Sequence, residues 1–498
     1  MNAEIVANAT DVQENRRRWW VLAVIVAAQF MVVLDVAIVN VALPSIKTDL
    51  HFSQESLQLV ITAYSIFFGG FLLLGGRLAD LLGRRRLFIG GLALFTVMSL
   101  LDGLAWSEGS LIVFRSLQGL GAAMLSPAAL SILTTTFREG RERNVALGVW
   151  GAASGSGGAA GVLLGGALTS GLSWSWIFFI NVPAGLLVMG VSPWLLGESR
   201  ADLGHRRFDF AGALSITSGL MLLVYALTRA TQHGWGTAET IGLLTASAGL
   251  IGGFFLIELR SKAPLLPLRI FRLRTLTASN VAGLLMGGAI FSQFFLLTLY
   301  MQQVLHYSAL KTGVAYIGLT LTIIAFSAVA QGLVTRFGVR RVLPAGLALS
   351  AVALVLFARL PVDGHYFTDL FPAFIISGLG LALAFVPMSI GALTGVKPAD
   401  AGIASGLINT NQQIGGAIGV AVATTIATTF TSHYVSDHVG ASAFSGPALT
   451  YGFQIAFYVL AALAALGAVL SAVMLEPRSP ETEVEVAPEG AVELEVAA

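Results

Sequence analysis

Fourteen long apolar runs, separated by short polar connections, constrain this chain more than any other feature. A helix rises about 1.5 Å per residue, so about 20 apolar residues cross a hydrocarbon core that is about 30 Å thick. Backbone inside lipid must satisfy its own hydrogen bonds, and each run is therefore expected to be a helix. The predicted spans are residues 20–44, 56–79, 87–105, 110–133, 144–169, 175–197, 209–229, 239–259, 276–301, 311–334, 342–360, 368–394, 402–429 and 451–475.

The composition agrees with an all-α, multi-pass membrane protein. Only 11% of the 498 residues are charged and 56% are hydrophobic, whereas soluble domains carry about 25% charged residues. The formal net charge of +1 gives no bulk attraction to nucleic acid. The chain has no cysteine, which excludes disulfides, thiolate metal sites and cysteine nucleophiles.

The basic residues are distributed unevenly between the two sides of the predicted membrane. Of 28 lysines and arginines, one side holds only Lys47, Arg229, Lys311 and Arg359, and Arg115 lies within a span. The others lie before the first span, in the connections that follow even-numbered spans, and in the tail. Cytoplasmic loops carry an excess of basic residues. Both termini are therefore predicted in the cytoplasm, with the spans in the plasma membrane, which is the inner membrane of a bacterium.

A similar basic turn follows the second and the tenth spans, at residues 76–86 and 332–341. If the two turns correspond, spans 1–6 and 9–14 are repeats, and spans 7 and 8 are an inserted hairpin. Parallel repeats of this kind place a substrate between two six-helix bundles. The predicted parts are a cytoplasmic segment (1–18), a first bundle (19–197), the insert with its linkers (198–275), a second bundle (276–475) and an acidic, disordered tail (476–498).

Asp35 and Arg115 are charged residues inside predicted spans, at similar depths. A charge in hydrocarbon is costly and by default marks an ion, proton or substrate pathway. We predict that Asp35 binds a proton and that Arg115, directly or through water, favours the charged form of Asp35. The alternatives are a neutral Asp35 that joins two helices and a static salt bridge. Asp102 is a further candidate carboxyl group for proton coupling, although its place beside Trp106 favours a water-accessible position at the outer interface.

An ordered set of motifs resembles the major facilitator superfamily. The turn at 76–86 resembles its loop signature, and the stretch from Leu34 to Pro44 resembles the first-helix signature of the fourteen-spanner drug:proton antiporter branch. Further family-like motifs are Leu111–Gly119, Gly157–Gly161 with Gly165 and Gly166, Trp174–Pro183 and Ala401–Gly406. The chain departs from the family pattern at Leu81, Val162 and Ser175. Val162 replaces a proline, which is the common cause of a sharp kink.

The resemblance implies roles for several residues. Asp80 would contact the positive N-terminal end of the thirteenth span and, with Arg84 and Arg85, latch the two halves at the cytoplasmic face. Gly76 would permit close backbone approach there, and Gly83 belongs to the same motif. The resemblance also implicates Arg115 in proton coupling, and it assigns the antiporter motif to Gly157, Gly161, Gly165 and Gly166.

The ninth span should line the substrate cavity, because it corresponds to the first span. Aromatic side chains suit flat or cationic ligands. For any single phenylalanine, a position facing lipid or the core is favoured over one in the cavity. Amides on the thirteenth span either line the path or bond between helices. The cavity candidates are Asn40, Asn280, Phe291, Gln293, Phe294, Tyr300, Asn409 and Gln413.

The sequence therefore predicts a transporter that exports amphipathic, often cationic or aromatic drugs by alternating access. The energy source would be the proton gradient, with no cofactor, no metal site, no ATP and no nucleic acid. No dense polar cluster indicates an enzyme. The alternatives are a dedicated exporter of a single endogenous metabolite, antibiotic or lipid, and a membrane sensor that transports nothing.

Overall fold

The computed structural model describes residues 2–52, 56–200, 209–261, 264–438, 440 and 442–475. Within these residues it is all-helical and contains fourteen helices that are long and apolar enough to cross a membrane. The predicted fold class is thereby confirmed, whereas the predicted acidic tail lies outside the described residues. The helices are α1 (Arg16–Asp49), α2 (Leu59–Leu82), α3 (Arg84–Gly103), α4 (Glu108–Thr136), α5 (Arg141–Gly171), α6 (Trp176–Leu195), α7 (Phe210–His233), α8 (Ala238–Arg260), α9 (Arg274–Val304), α10 (Leu310–Phe337), α11 (Val339–Phe357), α12 (Tyr366–Leu393), α13 (Ala401–Asp437) and α14 (Gly446–Met474).

The first helix extends further than predicted. Helical backbone begins at Asn2 and continues without a break into α1. Residues 2–18 contain neither glycine nor proline, so nothing in that segment interrupts a helix. Residues 2–18 of the predicted cytoplasmic segment are therefore helical.

The helices form two groups that match the two predicted bundles. In the first group, α1 packs on α5, α4 packs on both α2 and α3, and α6 packs on α3. In the second, α9 packs on α13, α11 packs on α12 and α14, and α13 packs on α14. The groups meet where α2 contacts α13 and where α5 contacts α10 and α12. We call the end where α2 leads into α3 the arginine-rich face, and the other end the opposite face.

The inserted hairpin contacts both groups. Helix α7 packs on α2 and on α13, and α8 packs on α7. At Gly70 of α2, an added Cβ would collide with Met221 of α7. Near the opposite face, Trp235 Nε1 donates a hydrogen bond to Thr425 of α13 at 2.8 Å. Helix α7 thus covers one seam between the bundles.

Glu258 holds the linker that leads from α8 to α9. Its side chain is buried and accepts the backbone N–H groups of Leu265 at 3.0 Å and Leu266 at 3.1 Å. Further along the linker, Arg269 lies 3.4 Å from Asp400, just before α13. Glu258 therefore positions the linker at the arginine-rich face and does not merely anchor α8 at the interface.

We expect Glu258→Ala to loosen this linker. Two buried N–H groups would lose their acceptor, which costs about 1–3 kcal/mol each when unsatisfied. Limited trypsin digestion should cleave faster at Arg269 and Arg272, and thermal unfolding should begin earlier. Glu239→Ala is the control, because Glu239 is exposed and pairs with Arg229 at the surface. Equal digestion of both variants would contradict the assignment.

Candidate functional site

A buried ion pair lies at the centre of the first bundle. Arg115 Nη1 of α4 lies 2.6 Å from Asp35 Oδ2 of α1, and each side chain is at most 1% exposed. Arg115 Nε also donates to the carbonyl of Val60 at 3.2 Å. The guanidinium carbon stands 4.3 Å from the ring centre of Tyr64, which adds a cation–π contact. The structure thus brings together Asp35 and Arg115, the two charged residues that the sequence places inside spans.

Two amides complete the surroundings of Asp35. Gln118 Nε2 donates to Asp35 Oδ1 at 2.9 Å, and Asn181 Nδ2 donates to the same oxygen at 3.0 Å. Arg115 in turn donates to Gln118 Oε1. Sequence reasoning quoted Gln118 and Asn181 only as parts of family motifs and gave them no role. The sequence feature that could have identified both residues is a polar amide inside an apolar span, where the amide needs a hydrogen-bond partner.

This arrangement favours an ionised Asp35 in the described conformation. Three donors converge on one carboxyl group and a cation balances it, which offsets most of the cost of burial. If one member of such a pair is removed, an uncompensated charge remains and costs about 3–5 kcal/mol. Asp35 and Arg115 therefore stabilise each other.

We expect Asn181→Ala to destabilise the protein. Asn181 also donates to Ser99 Oγ at 3.1 Å, so the change removes donors from two buried oxygens. The loss should be about 1–3 kcal/mol, seen as a lower thermal unfolding temperature in detergent. Asn40→Ala serves as the control, because the exposed Asn40 amide donates only to carbonyls of its own helix, Val36 at 3.0 Å and Ala37 at 3.5 Å. A larger shift for Asn40→Ala would contradict this ranking.

Asp102 is not at the water interface that its sequence position favoured. Its side chain is 0% exposed, whereas neighbouring Trp106 is 74% exposed. The reason is that the start of α6 folds over the end of α3. Gly103 lies against the ring of Phe179, and Ser99 Oγ donates to the carbonyl of Phe178 at 2.9 Å.

The arginine-rich face is closed by a contact between the bundles. The buried Asp80 carboxylate of α2 accepts the backbone N–H groups of Gly402 at 3.1 Å and Ile403 at 3.2 Å, at the start of α13. Arg84 Nη2 donates to the same carboxylate at 2.9 Å. A helix N-terminus favours a negative charge. A Cβ added at Gly76 would collide with the carbonyl of Gly402, so the two backbones touch there.

Gly83 and Arg85 lie near this contact, but their partners belong to the first bundle. Gly83 has φ of 112°, which favours glycine, and faces Glu198 after α6. Arg85 donates to the carbonyls of Pro193 at 3.4 Å and Leu196 at 3.2 Å. The expectation that Arg85 helps to latch the two halves is therefore corrected, because its partners belong to α6 and its end.

The glycines of the antiporter motif press α5 onto α1. Cβ atoms added at Gly157, Gly161 and Gly165 would lie within 3.0 Å of α1 atoms, between Val33 and Ile38. Gly166 is also buried, and its carbonyl accepts from Ser170 at 2.5 Å. Helix α5 continues without a break past Val162. Gly157, Gly161 and Gly165 thus let α5 lie directly against α1, the helix that carries Asp35.

Three cavity candidates lie in contacts between elements and not on a free cavity surface. Asn280 accepts from Asn411 at 2.8 Å, and Gln293 donates to Ser377 at 2.8 Å. Tyr300 donates to the carbonyl of Pro361 at 2.5 Å. All three side chains are at most 4% exposed. The cavity prediction is corrected for Asn280, Gln293 and Tyr300 in this conformation, because a polar group inside the bundle pairs with another helix or loop.

The other cavity candidates are more accessible but do not form one cluster. Asn40 is exposed, and Phe291 is 37% exposed beside Gly416. Phe294 stands 5.2 Å from Tyr316, measured between ring centres. Half-buried Asn409 donates to Ser405 at 2.8 Å within its own helix. Half-buried Gln413 faces Gly69 of α2 across the boundary between the bundles.

Known relatives share most of this chain. The puromycin resistance protein of Streptomyces alboniger is 41% identical over 93% of this chain and 92% of its own length. The cephamycin export protein of Amycolatopsis lactamdurans is 40% identical over 78% of this chain and 81% of its own. The lincomycin resistance protein of Streptomyces lincolnensis is 34% identical over 82% and 84%, respectively.

The fold is also that of a solved transporter. The crystal structure of human MFSD10, described as an organic anion transporter, aligns with a TM-score of 0.63 over 92% of this chain and 99% of its own, at 17% identity. The model of the Major Facilitator Superfamily matches residues 25–420. The chain is therefore a membrane transporter, not an enzyme, and it belongs to the major facilitator superfamily, in the branch that includes antibiotic resistance and export proteins.

Proposed function

We propose that the protein exports amphipathic, often cationic or aromatic drugs across the plasma membrane in exchange for protons. The observation that carries this proposal is the ion pair between Asp35 and Arg115 at 2.6 Å, buried within the first bundle. Protonation of Asp35 cancels one charge of that pair. Only a group whose bonding differs between two states can shift the balance between them.

The contact at the arginine-rich face supports alternating access. Asp80 bonds to the start of α13 across the boundary between the bundles. We place this face in the cytoplasm, with both termini on that side, because basic loops face the cytoplasm. The described conformation is then closed to the cytoplasm, and export requires the Asp80 contact to open so that a drug can enter.

Proton binding at Asp35 would be linked to drug release on the other side. Gly157, Gly161 and Gly165 bring α5 into close contact with the part of α1 that carries Asp35, so a movement of α1 would also displace α5. One charge that crosses 100 mV is worth about 2.3 kcal/mol, and a pH gradient adds to it. No cofactor or ATP is needed for this cycle.

The test uses inside-out vesicles that carry an imposed pH gradient. Ethidium, tetraphenylphosphonium, puromycin and lincomycin are added in turn, while drug uptake and proton leak are followed together. We expect several of these compounds to evoke proton leak and to compete with one another. Drug uptake with no linked proton movement would overturn proton coupling.

A second candidate function is export of a single antibiotic. The names of the three relatives described above favour it, because each refers to one antibiotic: puromycin, cephamycin or lincomycin. The same vesicles separate the two candidates. A broad exporter shows competition across the panel, whereas a dedicated exporter responds to one compound and ignores the others.

A further inference from the structure

Asp102 is a buried carboxyl group with no hydrogen-bond partner among the residues that the structure describes. Both of its oxygens are enclosed, and the side chain is 0% exposed. It lies in the last turn of α3, one turn beyond Ser99. Ser99 accepts from Asn181, which also donates to Asp35. Asp102 therefore lies beside the Asp35 site, on the side nearer the opposite face.

The charges around Asp102 do not balance if it is ionised. Three titratable or charged groups interact electrostatically with the Asp102 carboxyl group. They are Arg115 of α4, Asp35 of α1 and Tyr64 of α2. The α6 residues that lie against this end of α3, Asn181 beside Ser99 and Phe179 beside Gly103, are uncharged. Arg115 is the one cation of this group, and it is already bonded to Asp35 and Gln118.

An ionised carboxylate with no donor costs far more to bury than a neutral carboxylic acid. One cation balances one carboxylate. When two carboxyl groups compete for one balancing charge, their protonation is coupled, and the pair holds a proton between them. In the described conformation Asp35 has three donors and Asp102 has none, so the proton belongs on Asp102.

We propose that Asp102 is a second proton-binding site, which shares Arg115 with Asp35 and is the protonated member of the pair in this conformation. When Asp35 takes up a proton from water, its bond to Arg115 weakens. Arg115 then turns to Asp102, the O–H bond of Asp102 breaks, and that proton passes to water. One proton is bound and one is released, and the cluster keeps its net charge. This inference rests on the proposed proton coupling and adds the second site to it.

The test that does not depend on transport is infrared difference spectroscopy of the purified protein at neutral pH. The carbonyl stretch that Asp102 contributes as a protonated carboxylic acid should appear as a band in the difference between the wild-type and Asp102→Asn spectra. This band should be lost in Asp35→Asn, because Arg115 becomes free to pair with an ionised Asp102. Asp363→Asn, in an exposed loop, is the control and should leave the band unchanged. A difference spectrum without this band would overturn the proposal, and a band that survives in Asp35→Asn would overturn the sharing of Arg115.

The transport test uses Asp102→Asn in the ethidium vesicle assay. Asparagine matches a neutral carboxylic acid in shape, so folding and ethidium binding should be preserved. Binding is followed by quenching of tryptophan fluorescence. We expect ethidium-evoked proton movement to be lost while binding remains. If Asp102→Asn moved protons as the wild type does, Asp102 would have only a structural role. The proposed coupling through Asp35 could still hold in that case. If the wild type itself moves no protons, the proposed function fails, and the infrared result still decides the protonation of Asp102.

Discussion

We expect Asp35→Asn to abolish drug-evoked proton movement and to lower ethidium efflux from cells to the level of cells that lack the protein. The amide cannot take up and release a proton, and it removes the carboxylate to which Arg115 is bonded in the described conformation. Breaking a buried ion pair costs about 3–5 kcal/mol, of which pairing of Arg115 with Asp102 recovers only a part, so some loss of folded protein is also expected. Efflux must therefore be compared at matched levels of protein in the membrane.

A double substitution separates coupling from folding. Asp35→Asn with Arg115→Gln removes both charges together, so the penalty of a stranded cation disappears. We expect this variant to regain thermal stability relative to Asp35→Asn alone but to remain inactive in efflux. If the double variant restored proton-linked efflux, Asp35 and Arg115 would be structural only.

Gly76→Ala has the second largest expected effect, because it keeps the arginine-rich face from closing. The added Cβ would collide with the backbone carbonyl of Gly402, which cannot rotate away as a side chain could. Overpacking of this kind costs about 1–3 kcal/mol or more. A shift of about 5.5 kcal/mol takes a two-state equilibrium from 1:99 to 99:1. Even the smaller cost therefore moves most molecules from a closed to an open arginine-rich face when the states are close in energy.

The chain offers a matched control for this change. Gly332 is the counterpart of Gly76 in the second basic turn, and a Cβ added there meets nothing within 4 Å. Gly332→Ala should transport like the wild type. Since the chain has no cysteine, a single cysteine introduced near Asn409 reports opening directly. It should react faster with a membrane-impermeant thiol reagent from the cytoplasmic side in Gly76→Ala. Equal labelling of both variants would contradict the latch.

Hydropathy was sufficient to predict the fourteen spans, because lipid allows few backbone structures. The pairing of Asp35 with Arg115 was also accessible, since buried charges of opposite sign need each other. The sequence could not predict that Gln118 and Asn181 bond to Asp35. An amide in a span can bond to a polar group on any neighbouring helix, and the sequence does not say which one. The burial of Asp102 depends on how the start of α6 folds over α3. No local pattern at residues 100–106 encodes that contact.

The three cavity candidates that pair with other elements in the described conformation, Asn280, Gln293 and Tyr300, were misplaced for a different reason. Correspondence between repeats places a helix near the centre, but it does not fix its rotation about its own axis. A rotation of one residue, about 100°, decides whether Gln293 faces a cavity or Ser377. Polar residues in lipid are drawn to one another. An amide in a span therefore indicates a contact between helices at least as readily as a substrate site.

The most direct test of proton coupling places the purified protein in liposomes with no pH gradient and no voltage. An ethidium gradient is then the only source of energy. The account predicts that wild-type protein moves protons against the direction of ethidium flow, and that Asp35→Asn moves none. Ethidium that crosses through wild-type protein without any movement of protons would contradict the account.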